Sequence, residues 1–246
     1  MDVIFAVVWS DDTVWSDDTV GPVPDGSGLR TEIAREVDGP LAELGVGEYV
    51  VNVRDEAVAG AMIDVQVTPR PVLAAVRARV PVASASACAD LLDALRGLGP
   101  VSAWSVTASE PLPVPGPGGD GRCPGMANLA FLRRPERLHR DEWLRIWLDE
   151  HTPVAIETQS TTGYTQHVVV RALTEGAPEI AGIVEEVFPI EAARDLGVFF
   201  DSQGSDERMS AHIQAMTAST ARFLDDGAVD AIPTGRYVMG VRSPRV

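Results

Sequence analysis

The chain has 246 residues, 36 of them acidic and 20 basic, for a formal charge of −16. That excess of carboxylates excludes a phosphate-neutralising surface, and with it nucleic acid as a partner. No apolar run approaches the roughly 20 residues of a membrane-spanning helix, and Cys88 and Cys123 are too far apart for metal-ligand spacing, so a soluble cytoplasmic protein without a metal is expected.

The opening MDVIFAVVW lacks the cationic leader and small-residue cleavage site of a signal peptide, so Val3 to Trp9 reads as a first strand. WSDDTV then occurs twice in tandem, at 9–14 and 15–20. Its four carboxylates, Asp11, Asp12, Asp17 and Asp18, lack the glycine and alternating spacing of a calcium loop, which favours a duplicated loop over a cation site. Leu29, Ile33, Val37, Leu41 and Leu44 form one stripe of an amphipathic helix that Gly45 and Gly47 stop. EYVVNVR (48–54) and MIDVQV (62–67) read as strands. Leu73 to Val80 fits a strand or a helix, Ala87 to Leu98 a helix, and VSAWSVTA a closing strand.

Residues 110–124 are mostly Pro and Gly, which permit neither a helix nor an interior strand. They divide the chain into units 1–109 and 125–246. In the second unit, Met126 to Leu132 reads as a strand, and Asp141 and Glu142 open a helix at the positive end of its dipole. Trp143, Trp147 and His151 follow at i, i+4 and i+8 and share one face, with Pro153 loosening the last turn. Strands GYTQHVVVRAL and IAGIVEEVF, a helix over 190–200, an amphipathic stretch over 207–224 and the strand GRYVMGV complete the order β, α, β, β, α, β. The first unit has the same order. VDGPLA (37–42) lies against EHTPVA (150–155), matching Asp38 to His151, and Tyr49 and Asn52 then match Tyr164 and His167. This points to an internal duplication in which only the second copy keeps the histidines, hence to one competent pocket.

The run FLRRPERLHRDEWLRIWLDEHTPVA followed by GYTQHVV resembles the EthD family, small proteins with a strand ending in an Arg-rich turn, a helix carrying W-x-x-x-H-x-P, and a strand opening Gly-Tyr with His just after. The resemblance covers most of 126–240. It implies an α+β fold of two ferredoxin-like βαββαβ units with antiparallel sheets, paired here within one chain as an intramolecular dimeric α/β-barrel, with room for a further homodimer. It also implies a pocket for a small apolar or aromatic molecule and no cofactor. Relatives act as dehydratases, cyclases or isomerases on aromatic or polyketide-like carbonyl compounds, and related barrels include cofactor-free monooxygenases. A non-catalytic binding protein is the other reading.

With that resemblance added, His151 is the expected general acid or base and Tyr164 the hydrogen-bond donor to a substrate oxygen. Tyr164 and His167 are three apart on a strand and face opposite ways, so at most one shares a pocket with His151, and Gln166 accompanies Tyr164. Trp143, Trp147, Gln166, His167 and Tyr237 are the candidate substrate-binding residues. For the two tryptophans, packing between helix and sheet weighs more than stacking on a ligand. His139 and His212 fall in polar surroundings, and no metal spacing is formed.

Overall fold

The computed structural model describes residues 1–11 and 26–242; the tandem hexapeptide beyond Asp11 lies outside them. The first half contains β1 (Asp2–Trp9), α1 (Gly26–Glu43), β2 (Glu48–Val53), β3 (Val72–Val80), α2 (Ala89–Arg96), β4 (Val101–Val106) and a short β5 (Ser109–Leu112). The second contains β6 (Met126–Leu132), α3 (Arg140–Arg145), a π-helical turn (Ile146–His151), α4 (Thr152–Thr158), β7 (Gly163–Ala172), β8 (Gly182–Phe188), α5 (Leu196–Phe199), α6 (Asp206–Thr220) and β9 (Val229–Gly240). No helix among the described residues is long and apolar enough to cross a membrane.

The fold is α+β, built on an eight-stranded antiparallel barrel. Around it the order is β4, β1, β3, β2, β9, β6, β8, β7, and β4 closes the ring by pairing with β7. Numbered within its own half, each set of four strands lies in the order fourth, first, third, second. β2–β9 and β4–β7 are the two seams between halves.

Strands buried on both faces read as near-continuous apolar runs, and β1 shows how one such run serves two cores. Val3, Phe5 and Val7 point into the barrel and meet Trp104, Leu129, Phe131, Ile183 and Ile232. Ile4, Ala6 and Val8 point outward, where Ile33, Val37 and Leu41 of α1 and Leu91 and Leu95 of α2 cover them. α1 ends where Gly45 turns left-handed at φ 72°, letting Val46 N–H reach Leu41 O at 2.9 Å.

Several elements differ from expectation. MIDVQV is no strand: β2 pairs with β3 on one side and β9 on the other, so no free edge remains for it. It runs instead as a strap over β9, held by the Val65–Ala231 bridge and by Val67 N–H donating to Asp230 Oδ1 at 2.6 Å, with Met62, Val65 and Val67 exposed. Leu73 to Val80 is a strand paired on both sides. β5 falls partly in the Pro/Gly segment; Pro111 is tolerated because β5 lies at the edge, paired to β7 alone. The helix expected over 190–200 is broken into a 3-10 turn (Ile190–Ala193) and α5, which Asp195 restarts by accepting from Gly197 N–H at 2.7 Å.

Candidate functional site

The site is built where helices of the second half cross the outer face of β6, β8 and β7. Pro153 does not end the helix, as the sequence suggested. Thr152 N–H bonds the carbonyl five residues back, Trp147 O, and the chain continues as α4 with Pro153 in its first turn. Proline cannot donate to the carbonyl of residue 149 and its ring would collide there in a regular helix. The wider π turn removes that collision. Thr152 Oγ1 braces the turn by donating to Trp147 O at 3.0 Å and accepting from Gln166 Nε2 at 2.6 Å.

Trp143 and Trp147 pack 5.0 Å apart, and the chain passes under them because β8 begins with glycine: a Cβ on Gly182 would lie 2.5 Å from the Trp147 ring. Trp143 donates to Phe223 O at 2.9 Å and packs in the core, outside the cavity wall. Trp147, His151 and Tyr164 line one cavity of about 370 Å³, within the size range of small-molecule sites. Its apolar wall includes Phe199, Met216 and Phe223, and Ile63 of the strap, so the first half contributes to the wall of the second half's cavity.

A row of three polar residues crosses the floor. Tyr164 on β7 pairs in register with Glu186 on β8, and Glu186 with Asn128 on β6, placing neighbouring Cβ atoms about 5 Å apart on one face. Glu186 is 9% exposed and accepts one hydrogen bond, from Thr161 Oγ1 at 2.7 Å. Burial raises its pKa from 4.5 to about 7, against the weaker opposing pull of Thr161. The Tyr164 hydroxyl is pushed well above its ordinary range by burial and then by the nearby Glu186 charge. His151 is pulled from 6.5 down to about 4 by burial, so its ring is neutral near pH 7; Nδ1 lies 2.9 Å from Ser219 Oγ. Asn128 Oδ1, Gln159 Oε1 and Trp147 Nε1 are buried at the cavity without hydrogen-bond partners among the described residues. Such groups are costly when left unpaired, and a ligand carrying both an acceptor and hydroxyl groups would satisfy them.

The other expected residues lie elsewhere. Gln166 shares the Tyr164 face but is held between Thr152 and Ser109, whose hydroxyl donates to Oε1 at 3.1 Å. His167 points into the barrel, 5.3 Å from the Phe5 ring. Tyr237 sits on the outer face of the first half, donating to Asp55 Oδ2 at 2.7 Å beneath Arg30. His139 is exposed, whereas His212 is half-buried with Nδ1 2.7 Å from Phe200 O. Among the described residues no group of three or more His, Cys, Asp or Glu could hold a metal ion. The residue that sequence reading missed is Glu186. Its signal was present: GIVEEVF places two adjacent carboxylates in a strand otherwise apolar, and strand alternation sends Glu185 into the barrel and Glu186 into the cavity.

No protein-family model matches the sequence, EthD included, and no curated protein matches it. Among solved structures the chain is similar to an anthrone oxidase-like protein, with a TM-score of 0.52 and 12% identity over 98% of this chain and 94% of the other. The chain has the dimeric α/β-barrel fold. Weaker likenesses are to a monooxygenase candidate from Fusobacterium nucleatum subsp. nucleatum (TM-score 0.46, 8% identity, 100% and 98% covered) and a chlorite dismutase candidate (0.44, 11%, 98% and 96%). In this chain the barrel closes on itself, both seams being formed between its own two halves.

Proposed function

We propose that the cavity is the active site of a cofactor-independent enzyme that moves a proton on a small apolar or aromatic, polyketide-like carbonyl compound. On this reading the chain is an EthD-like protein of two tandem ferredoxin-like units, and its reaction is of the dehydratase, cyclase or isomerase type. The observation that carries the proposal is the buried row Tyr164–Glu186–Asn128 on the floor of a cavity whose lining is mostly apolar.

The acid–base role expected of His151 passes to Glu186. A base with a pKa near 4 drives proton abstraction weakly at neutral pH, whereas a carboxylate poised near 7 suits it. Glu186 takes the proton from the carbon beside the substrate carbonyl. Tyr164, whose hydroxyl stays protonated, donates to the carbonyl oxygen as it gains enolate charge. Asn128 Oδ1 accepts from a substrate hydroxyl, and neutral His151 lines the wall with its ring fixed by Ser219. The anthrone oxidase-like likeness supports the fold alone, but oxidation of an aromatic ketone would begin with the same abstraction.

The test is to incubate the protein with a panel of aromatic and alicyclic ketones in D₂O and follow deuterium incorporation by mass spectrometry. Wild type should catalyse exchange, and Glu186→Gln should lose at least about a hundredfold in rate while keeping its fold. Equal rates in the two would contradict the mechanism. Binding without exchange would make the chain a carrier, and oxygen uptake after exchange would make it monooxygenase-like.

A further inference from the structure

Apart from the cavity, the inside of the barrel holds a second polar cluster. Asn52 and Arg77 reach it from the first half, and His167, Glu185 and Arg236 from the second. Glu185 is fully buried, and Arg77 and Arg236 are each 7% exposed. Asn52 Nδ2 donates to Glu185 Oε1 at 2.8 Å. Around Oε2 stand Arg77 Nε at 3.2 Å, His167 Nε2 at 3.5 Å and Arg236 Nε at 3.9 Å. Burial alone would raise the Glu185 pKa; the Arg77 charge, the His167 hydrogen bond and the Arg236 charge hold it far below the ordinary carboxylate range.

The charges do not balance. One carboxylate faces two guanidiniums, leaving at least one excess positive charge in this cluster among the described residues, and buried charge without a counter-charge is strongly disfavoured. His167 does not relieve this. Its Nδ1 lies 3.3 Å from Thr107 O and its Nε2 faces Glu185, so both ring nitrogens meet acceptors and a neutral ring can donate to only one of them. The donors are incompletely used as well. Neither Arg77 Nε nor Arg236 Nε makes a hydrogen bond of good geometry, and Thr165 Oγ1, in register with Glu185 on the same inward face, makes none. Arg236 Nη1 donates to the Cys123 sulfur at 3.0 Å, a weak acceptor.

We infer that the barrel interior binds one small monovalent anion, a halide or a short carboxylate, between Arg77 and Arg236. Guanidinium N–H groups of Arg77 and Arg236 and the Thr165 hydroxyl supply its donors, and its negative charge offsets the positive excess. Because Arg77 belongs to the first half and Arg236 to the second, the anion holds the two halves together at the β2–β9 seam.

Thermal unfolding of the full chain in sodium bromide or sodium formate, at constant ionic strength made up with the bulky anion gluconate, tests this. The midpoint should rise and saturate with bromide or formate; bromide alone would identify a free halide site, formate alone a carboxylate site. Arg77→Met should abolish the rise. Glu185→Gln, which leaves the cations unopposed, should lower the apparent Kd for the anion by roughly tenfold. No anion dependence in the wild type, or the same dependence in all three proteins, would overturn the inference. Should the variants not fold, bromide-soaked wild-type crystals decide: anomalous density between the two guanidiniums supports it, and water there contradicts it.

Discussion

Glu185 and Glu186 are adjacent in sequence, equally buried in kind, and driven to opposite ionisation by what each strand face meets. Guanidiniums hold Glu185 ionised, while a mostly apolar cavity raises Glu186 to about 7. The second shift has a stability consequence. A carboxyl raised from 4.5 to about 7 contributes stability that is full below about pH 4.5 and is lost as pH rises through 7. The loss is on the order of 3 kcal/mol, and Glu186→Gln should remove that slope in urea unfolding between pH 5 and 8. His151 has the reverse sign: lowered from 6.5 to about 4, it contributes stability present above 6.5 that is lost as pH falls through about 4. His151→Phe should therefore flatten the acid limb of the same profile. At this scale the sequence revealed the alternation that parts Tyr164 from His167, because strand parity is local. It did not reveal the charge state of Glu186, which depends on burial beside Phe199 of α5, Met216 of α6 and Phe223 of the turn after α6, all distant in sequence.

The helix carrying Trp143, Trp147 and His151 was legible as an element, since its apolar spacing is set within a few turns. Its passage through Pro153 was not, because the π turn depends on Thr152 bridging Trp147 O to Gln166 on β7. Thr152→Val should cost about 1–3 kcal/mol, read by denaturant unfolding, and release Gln166. Gly182→Ala should cost about 1–3 kcal/mol through overpacking and shift the tryptophan fluorescence, because its Cβ meets the Trp147 ring. MIDVQV fails as a strand for a reason no local pattern contains: closing the barrel gives β9 to the edge of β2 that the segment would have used.

In the first half the expected third strand, MIDVQV, gives way to Val72–Val80, the stretch that the sequence left open between strand and helix, and with that exchange both halves arrange their four strands alike. The matched pair Asn52 and His167 illustrates what that order could not show: they approach the same carboxylate, Glu185, from opposite halves. With both seams satisfied within one chain, light scattering of dilute protein should detect a folded 26.2 kDa monomer, any further homodimer being assembled from closed barrels; a species whose barrels are shared between chains would contradict this. The first half also contributes to the cavity wall through Ile63 of the strap. Ile63→Ala should weaken binding of an apolar ligand by roughly tenfold, the loss expected for 1–2 kcal/mol of buried side chain, with little change in overall stability.

The ionisation of Glu186 tests the central claim most directly, because it needs no substrate. In a ¹³C NMR titration of protein labelled at its glutamate carboxyls, the resonance missing from Glu186→Gln should titrate with a midpoint near 7. A midpoint near the ordinary 4.5 would show a solvated surface carboxylate and remove the proposed base.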